Sequence, residues 1–188
     1  MGAIALQNMR VILLAMFGTV ALTSGVYAKE SACELSDVPQ SVQQVVRDKF
    51  LEWRIWNHTD LTSEELVFWL KQEARSSCPG LAIGQFTAKK QRAYAVSLIP
   101  KDANREGWRL VILESTAEGG VVSTVIESAD DYTDTGILET VPPGTYSDMY
   151  GAEKVILQFD GFTSYLYGKG LTLFYWKGGK FHSFPLVE

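Results

Sequence analysis

The spacing of apolar residues along this chain changes once, at Cys78-Pro79-Gly80. Before that point apolar side chains recur every three or four positions, the period of a helix with one buried face. Val42, Val45, Val46 and Phe50 form such a stripe, and Pro39 suits the first turn behind a capping Asp37, so a helix is predicted over 39–50. Trp53 to Trp56 is dense enough in aromatic and apolar residues for a short strand. Thr62-Ser63-Glu64-Glu65 has the form of a capping box, in which Thr62 and Glu65 each accept from the other's backbone N–H. It opens a second helix with Leu66, Trp69 and Leu70 on one stripe and Phe68 beside it, ending near 74–77. Pro79 and Gly80 stop it, because Pro cannot continue a helix and Gly permits a reversal.

Beyond Gly80 the period falls to two. Leu81–Phe86 and Ala93–Ile99 are predicted strands around the polar turn 87–92, and the second is apolar on both faces, as a central strand is. Trp108–Glu114 follows, with Trp108, Leu110 and Ile112 on one face and Val111 and Leu113 on the other. Glu118-Gly119-Gly120 turns the chain into Val121–Ile126. Residues 127–149 are irregular, with a short strand predicted over 136–141. A meander closes the chain: Lys154–Phe159, an Asp160-Gly161 hairpin turn, Phe162–Tyr167, Leu171–Trp176 and Phe181–Leu186. The fold class expected is α+β, with two N-terminal helices packed on one antiparallel sheet of about seven to eight strands.

Residues 1–28 change this picture by standing outside it. Arg10, an apolar run from Val11 to about Val20 and the ending Val26-Tyr27-Ala28 have the layout of a signal peptide cleaved after Ala28. The run falls short of the roughly 20 apolar residues a spanning helix needs, so no stable membrane insertion of the mature chain is expected. Residues 29–188 are the size of a single domain. Without the leader 16 basic and 22 acidic side chains remain, a net charge of −6. That acidity argues against nucleic acid and anionic lipid as partners. Export, periplasmic or secreted, also gives the two cysteines a role. No C-x-x-C is present, and a Cys33–Cys78 disulfide is expected in an oxidising compartment. Closing that loop would add about 4 kcal/mol in the chain-entropy model.

Candidate chemistry is sparse. His58 and His182 lack partners at any catalytic or metal-binding spacing, and no G-x-S-x-G, H-E-x-x-H or phosphate loop occurs. No catalytic residue, metal or cofactor is predicted. Asn57-His58-Thr59 matches a glycosylation sequon, and the basic turn 87–92 could meet an acidic partner. The acidic segment 127–139, with Asp130, Asp131 and Asp134 at its centre, is a candidate for carboxylate chemistry but lacks the alternating order of a calcium loop. Aromatic density at the C-terminus is the stronger signal. If one sheet face is uncovered, Tyr165, Tyr167, Phe174, Trp176 and His182 are candidates for a binding surface.

Gly84-x-Phe86 followed after seven residues by Tyr94-Ala95-Val96 resembles the strand–turn–strand segment of FG-GAP and VCBS-type β proteins. In that family aspartates in the turn bind calcium. Here Gln85, Thr87, Lys89 and Ala93 stand at those positions, so the resemblance implies the geometry without the ion. The wider layout, with its C-P-G-x-x-x-G-x-F segment and its Tyr175-Trp176-Lys177-Gly178-Gly179-Lys180-Phe181 hairpin, is similar to exported bacterial proteins of unknown function. This resemblance implies a periplasmic accessory or binding protein.

The function expected is a non-catalytic domain that binds a protein of the periplasm or cell envelope, for instance an inhibitor or immunity protein against a cell-wall enzyme or toxin. A glycan- or peptidoglycan-binding module and an enzyme using the 127–139 carboxylates are the alternatives.

Overall fold

The structure, a computed structural model, describes residues 38–71, 78–88, 91–133 and 135–187. Two short helices, α1 (Gln40–Lys49) and α2 (Ser63–Lys71), accompany eleven strands. The strands are β1 (Trp53–Ile55), β2 (Leu81–Gly84), β3 (Ala93–Pro100), β4 (Trp108–Ser115), β5 (Val121–Ala129), β6 (Ile137–Val141), β7 (Gly144–Ser147), β8 (Lys154–Leu157), β9 (Gly161–Leu166), β10 (Gly170–Lys177) and β11 (Lys180–Val187). They form three antiparallel sheets: β1 and β2 end to end along one edge of β3, with β4 and then β5 on its other side; the order β6-β9-β10-β11; and the ribbon β7-β8.

The expected two helices on one sheet of seven to eight strands is therefore wrong. The protein is mostly β. The cause lies in β3 and β4. Every residue of β3 is buried, and β4 is buried from Leu110 to Glu114. A strand apolar on both faces needs a layer on each side. Helix α1 supplies one, where Val42 and Val46 meet Tyr94, Val96, Leu98, Val111 and Leu113. The second sheet supplies the other, where Phe162, Phe174 and Leu138 meet Phe86, Ala95, Leu110 and Ile112. The second sheet is itself covered behind. Leu173 and Phe184 pack under Val155 and Leu157 of the β7–β8 ribbon. The result is four layers, with α1 outermost on one side and the ribbon on the other.

Helix α2 does not join α1 in covering the first sheet. Its Trp69 is buried beside His58, and its Phe68 stacks on Tyr165 of β9 at 4.8 Å. Its start is as predicted. Glu65 N–H donates to Thr62 Oγ1 at 3.3 Å, and Thr62 N–H donates to Glu65 Oε2 at 2.8 Å. A second capping box, unforeseen, precedes it. Asn57 Oδ1 accepts from Thr59 N–H at 2.8 Å and Asp60 Oδ2 accepts from Asn57 N–H at 2.9 Å, closing a short 3-10 turn over the sequon. The predicted end of α2 at 74–77 lies outside the described residues.

Two further corrections concern turns. Asp160-Gly161 does not close a hairpin, because β8 pairs with β7 while β9 pairs with β6 and β10. Gly161 is required by close approach. A Cβ there would lie 2.9 Å from the Phe174 carbonyl oxygen and 2.6 Å from a Leu157 methyl. Within residues 127–149 the strand expected over 136–141 is present as β6, and there is more strand than expected, since β5 runs on to Ala129 and β7 follows β6. By contrast Gly178-Gly179 is a two-residue hairpin turn with φ of +60° and +87°, as its composition predicts.

Phe162 is fully buried, 5.2 Å from the rings of both Phe86 and Phe174. Phe162→Ala is expected to lower unfolding free energy by about 3–5 kcal/mol in urea titration, and Phe162→Leu by much less. Burial pushes the Tyr94 phenol up, with Arg92 opposing. The folded state thus holds that proton more tightly than the unfolded chain, so the contribution is intact below about pH 10 and lost as pH rises above it. Tyr94→Phe is expected to flatten the fall in stability between about pH 10 and 12.

Candidate functional site

The two large sheets meet along one side and part along the other. On the closed side Thr140 of β6 bridges to the outer edge of β2. Its hydroxyl accepts from Ile83 N–H at 3.1 Å and donates to Ile83 O at 2.9 Å. Leu138 N–H donates to Pro79 O at 2.7 Å beside it, and Gln85 N–H donates to Asp160 Oδ2 at 2.7 Å. On the open side lie β5 and the β10–β11 turn, and between them is a cleft of about 400 Å³. Ile112, Val122, Thr124 and Ile126 line one wall; Trp176 and Phe181 line the other. Glu114 and Lys180 are its charged members. Trp176 and Phe181 are cross-strand partners whose rings meet edge to face at 5.2 Å. Thr87 Oγ1 donates to the buried Glu114 carboxylate at 2.6 Å, which ties the residue after β2 to a charged member of the cleft. Lys89 and Lys90 of the turn 87–92 lie outside the described residues.

The predicted aromatic surface does not exist as one surface. Phe174 is 6% exposed and packs between the sheets, so it is core and not a contact residue. Tyr165 and Tyr167 gather with Phe68 at the end of β9, the second at 5.9 Å and edge-on. His182 stacks on Tyr175 at 5.6 Å, on the face away from the first sheet. Trp176 alone of the five reaches the cleft. Alternation places residues on two faces, but only the packing shows that each face has its own cover. Val122 and Ile126 carry no signal of a site in the sequence, and Phe181 stands there only as one of the C-terminal aromatics and part of the hairpin motif. The sole hint was the cross-strand register that Gly178-Gly179 imposes between Trp176 and Phe181.

The acidic residues are likewise dispersed. Asp130 is paired with Arg109, whose guanidinium also donates to the Ala129 carbonyl at 2.7 Å and lies over the Trp53 ring at 4.4 Å. Asp131 is exposed, Asp134 lies outside the described residues, and Glu139 sits on β6 in the other sheet. Asp130, Asp131 and Glu139 line neither the cleft nor the two cavities described below. Among the described residues no group of three His, Cys, Asp or Glu side chains could hold a metal ion. Cys78 is buried against α1, with Sγ 3.6 Å from the Trp56 carbonyl oxygen. Its expected partner Cys33 lies outside the described residues.

Two other cavities are explained by structural roles. One of about 380 Å³ contains Asp60, Glu65, Tyr167 and Lys169. Its Asp60 is gripped by Arg54 at 2.5 and 2.6 Å, which pushes the guanidinium further up, and its Glu65 belongs to the capping box. The other, about 250 Å³, lies under the exposed Met149 and Tyr150 beside Pro185 and Val187. No protein-family model matches the chain, and no curated protein or solved structure matches it.

Thr87→Val is expected to lower stability by about 1–3 kcal/mol in denaturant titration, because the buried Glu114 carboxylate loses a donor. Thr87→Ser, which keeps the hydroxyl, is expected to lose less.

Proposed function

We propose that this protein is an exported, non-catalytic domain that binds another protein through the cleft on its open side. The observation that carries this reading is the cleft itself: an aromatic wall of Trp176 and Phe181 facing the half-exposed apolar side chains of β5. Interface cores favour aromatic anchors set in concave apolar surroundings. A small-molecule reaction would need polar groups converging on one point, and here Glu114 is held by Thr87 while Lys180 stands at the cleft rim. An inhibitor or immunity protein of the cell envelope suits such a domain, with the Cys33–Cys78 disulfide tying the N-terminal segment to the start of β2. Glycan binding is the weaker reading. It would want several exposed rings in a row, whereas Tyr165, Tyr167 and Phe174 are occupied elsewhere.

Affinity capture from cell-envelope extract tests the reading. A specific partner is expected to be retained by the wild type and by Tyr150→Ala, which alters the opposite side, and lost on Trp176→Ala and Val122→Glu with the fold intact by circular dichroism. Retention by all four proteins would place binding elsewhere. A linked peptide pair containing Cys33 and Cys78 is expected in non-reducing peptide mapping.

A further inference from the structure

The walls of the cleft include an edge strand that no described residue blunts along its first half. Exposed edges pair readily with other strands, and proteins protect them by shortness, Pro, charge, bulges or cover. Strands β1, β7 and β8 have three, four and four residues. The outer edge of β2 is bridged by Thr140 of β6. Strand β11 carries Lys180 at its start and Pro185 within it. Strand β5 is different. It has nine residues, no Pro and one charged residue, Glu127. Its pairing with β4 skips Ile126, so a bulge interrupts its far half and leaves 121–125 straight.

The outward backbone groups of that half can be identified. Thr116 N–H donates to Gly120 O at 2.8 Å and closes the β4–β5 hairpin. Bonded and non-bonded pairs alternate in an antiparallel ladder. With Glu114 opposite Val122 and Ile112 opposite Thr124, the pairs bonded to β4 are these two. The N–H and C=O groups of Val121, Ser123 and Val125 therefore point outward. Val122 and Thr124 line the cleft, joined by Val125 next to the bulge, while Ser123 lies on the α1 side. There Lys49 of α1 donates from Nζ to Ser123 Oγ at 3.3 Å, and no described carboxylate is ion-paired with it.

We infer, resting on the binding reading above, that the partner presents an extended segment that joins β5 as an added strand along Val121–Val125, with a carboxylate opposite Ser123 and apolar neighbours directed into the cleft. Main-chain bonds supply the affinity of such an addition, and alternate side-chain pockets supply its selectivity. Charge decides the occupant. A second copy of this chain pairing about Ser123 would bring two Lys49 ammonium groups together beside the two-fold axis, which is unfavourable. An acidic residue at the same place would meet a cation with no competing carboxylate.

The probe is the blocked peptide acetyl-Gly-Thr-Leu-Glu-Leu-Thr-Gly-amide, with a Glu→Lys counterpart, followed by amide exchange in NMR. At millimolar peptide, slowed exchange is expected at the amides of Val121, Ser123 and Val125, with no gain at Val122 or Thr124. The Lys counterpart is expected to bind about threefold or more weakly, and Lys49→Glu, an exposed change that leaves the fold intact, to reverse that preference. Unchanged exchange at the three amides, or indifference to both charge reversals, overturns strand addition. If the peptide binds and Trp176→Ala abolishes it while the three amides stay unprotected, the cleft reading survives and strand addition fails. An envelope partner whose capture ignores Trp176→Ala removes the reading beneath both.

Discussion

Two adjacent strands with no solvent face organise this molecule. Because β3 and the middle of β4 are apolar on both sides, the chain must furnish two cover layers for one sheet. Helix α1 is long enough for one of them only. The other must come from the remaining strands, and they can provide it only by forming a sheet of their own. The second sheet is then apolar on its inner face through Phe162 and Phe174 and again on its outer face through Leu173 and Phe184, which calls for the β7–β8 ribbon. One requirement at the centre thus propagates outward through every layer.

The same arrangement produces the cleft. Thr140, Leu138 and Asp160 tie the sheets together through backbone partners on the β2–β6 side. Twisted sheets held along one side diverge along the other, and the divergence falls between β5 and the β10–β11 turn. The bulky pair Trp176 and Phe181 stands there instead of a continued core. The cleft is not purely apolar, because Glu114 lines it and is held from behind by Thr87. A buried hydrogen-bonded pair in that position holds the Glu114 carboxylate in one arrangement.

Much of the local structure was legible before any tertiary contact was known. The capping box at Thr62–Glu65, the Gly178-Gly179 turn and the two-faced apolar pattern of β3 all depend on neighbours within a few residues. Legibility failed where two segments compete for the same local signal. Asp160-Gly161 has a hairpin composition, yet Gly161 is required by its approach to the Phe174 carbonyl, a contact across thirteen positions of sequence. The binding surface failed for a related reason. Tyr165, Phe174 and His182 alternate correctly along their strands, but alternation is silent on what lies above each face.

The sequence by itself determined where α1, the start of α2 and most of the strands lie, that β3 is central, and that the C-terminal aromatics fall on two faces of their strands. Spacing, caps and turn chemistry act through the backbone of adjacent residues, so they can be read in order. Only the tertiary structure decided that the strands divide between sheets, that Phe174 is core while Trp176 reaches a cleft, and that no described residue blunts the edge of β5 over 121–125. Those outcomes depend on which distant segments bury each other, and the hydrophobic effect that drives burial is proportional to area and indifferent to order along the chain.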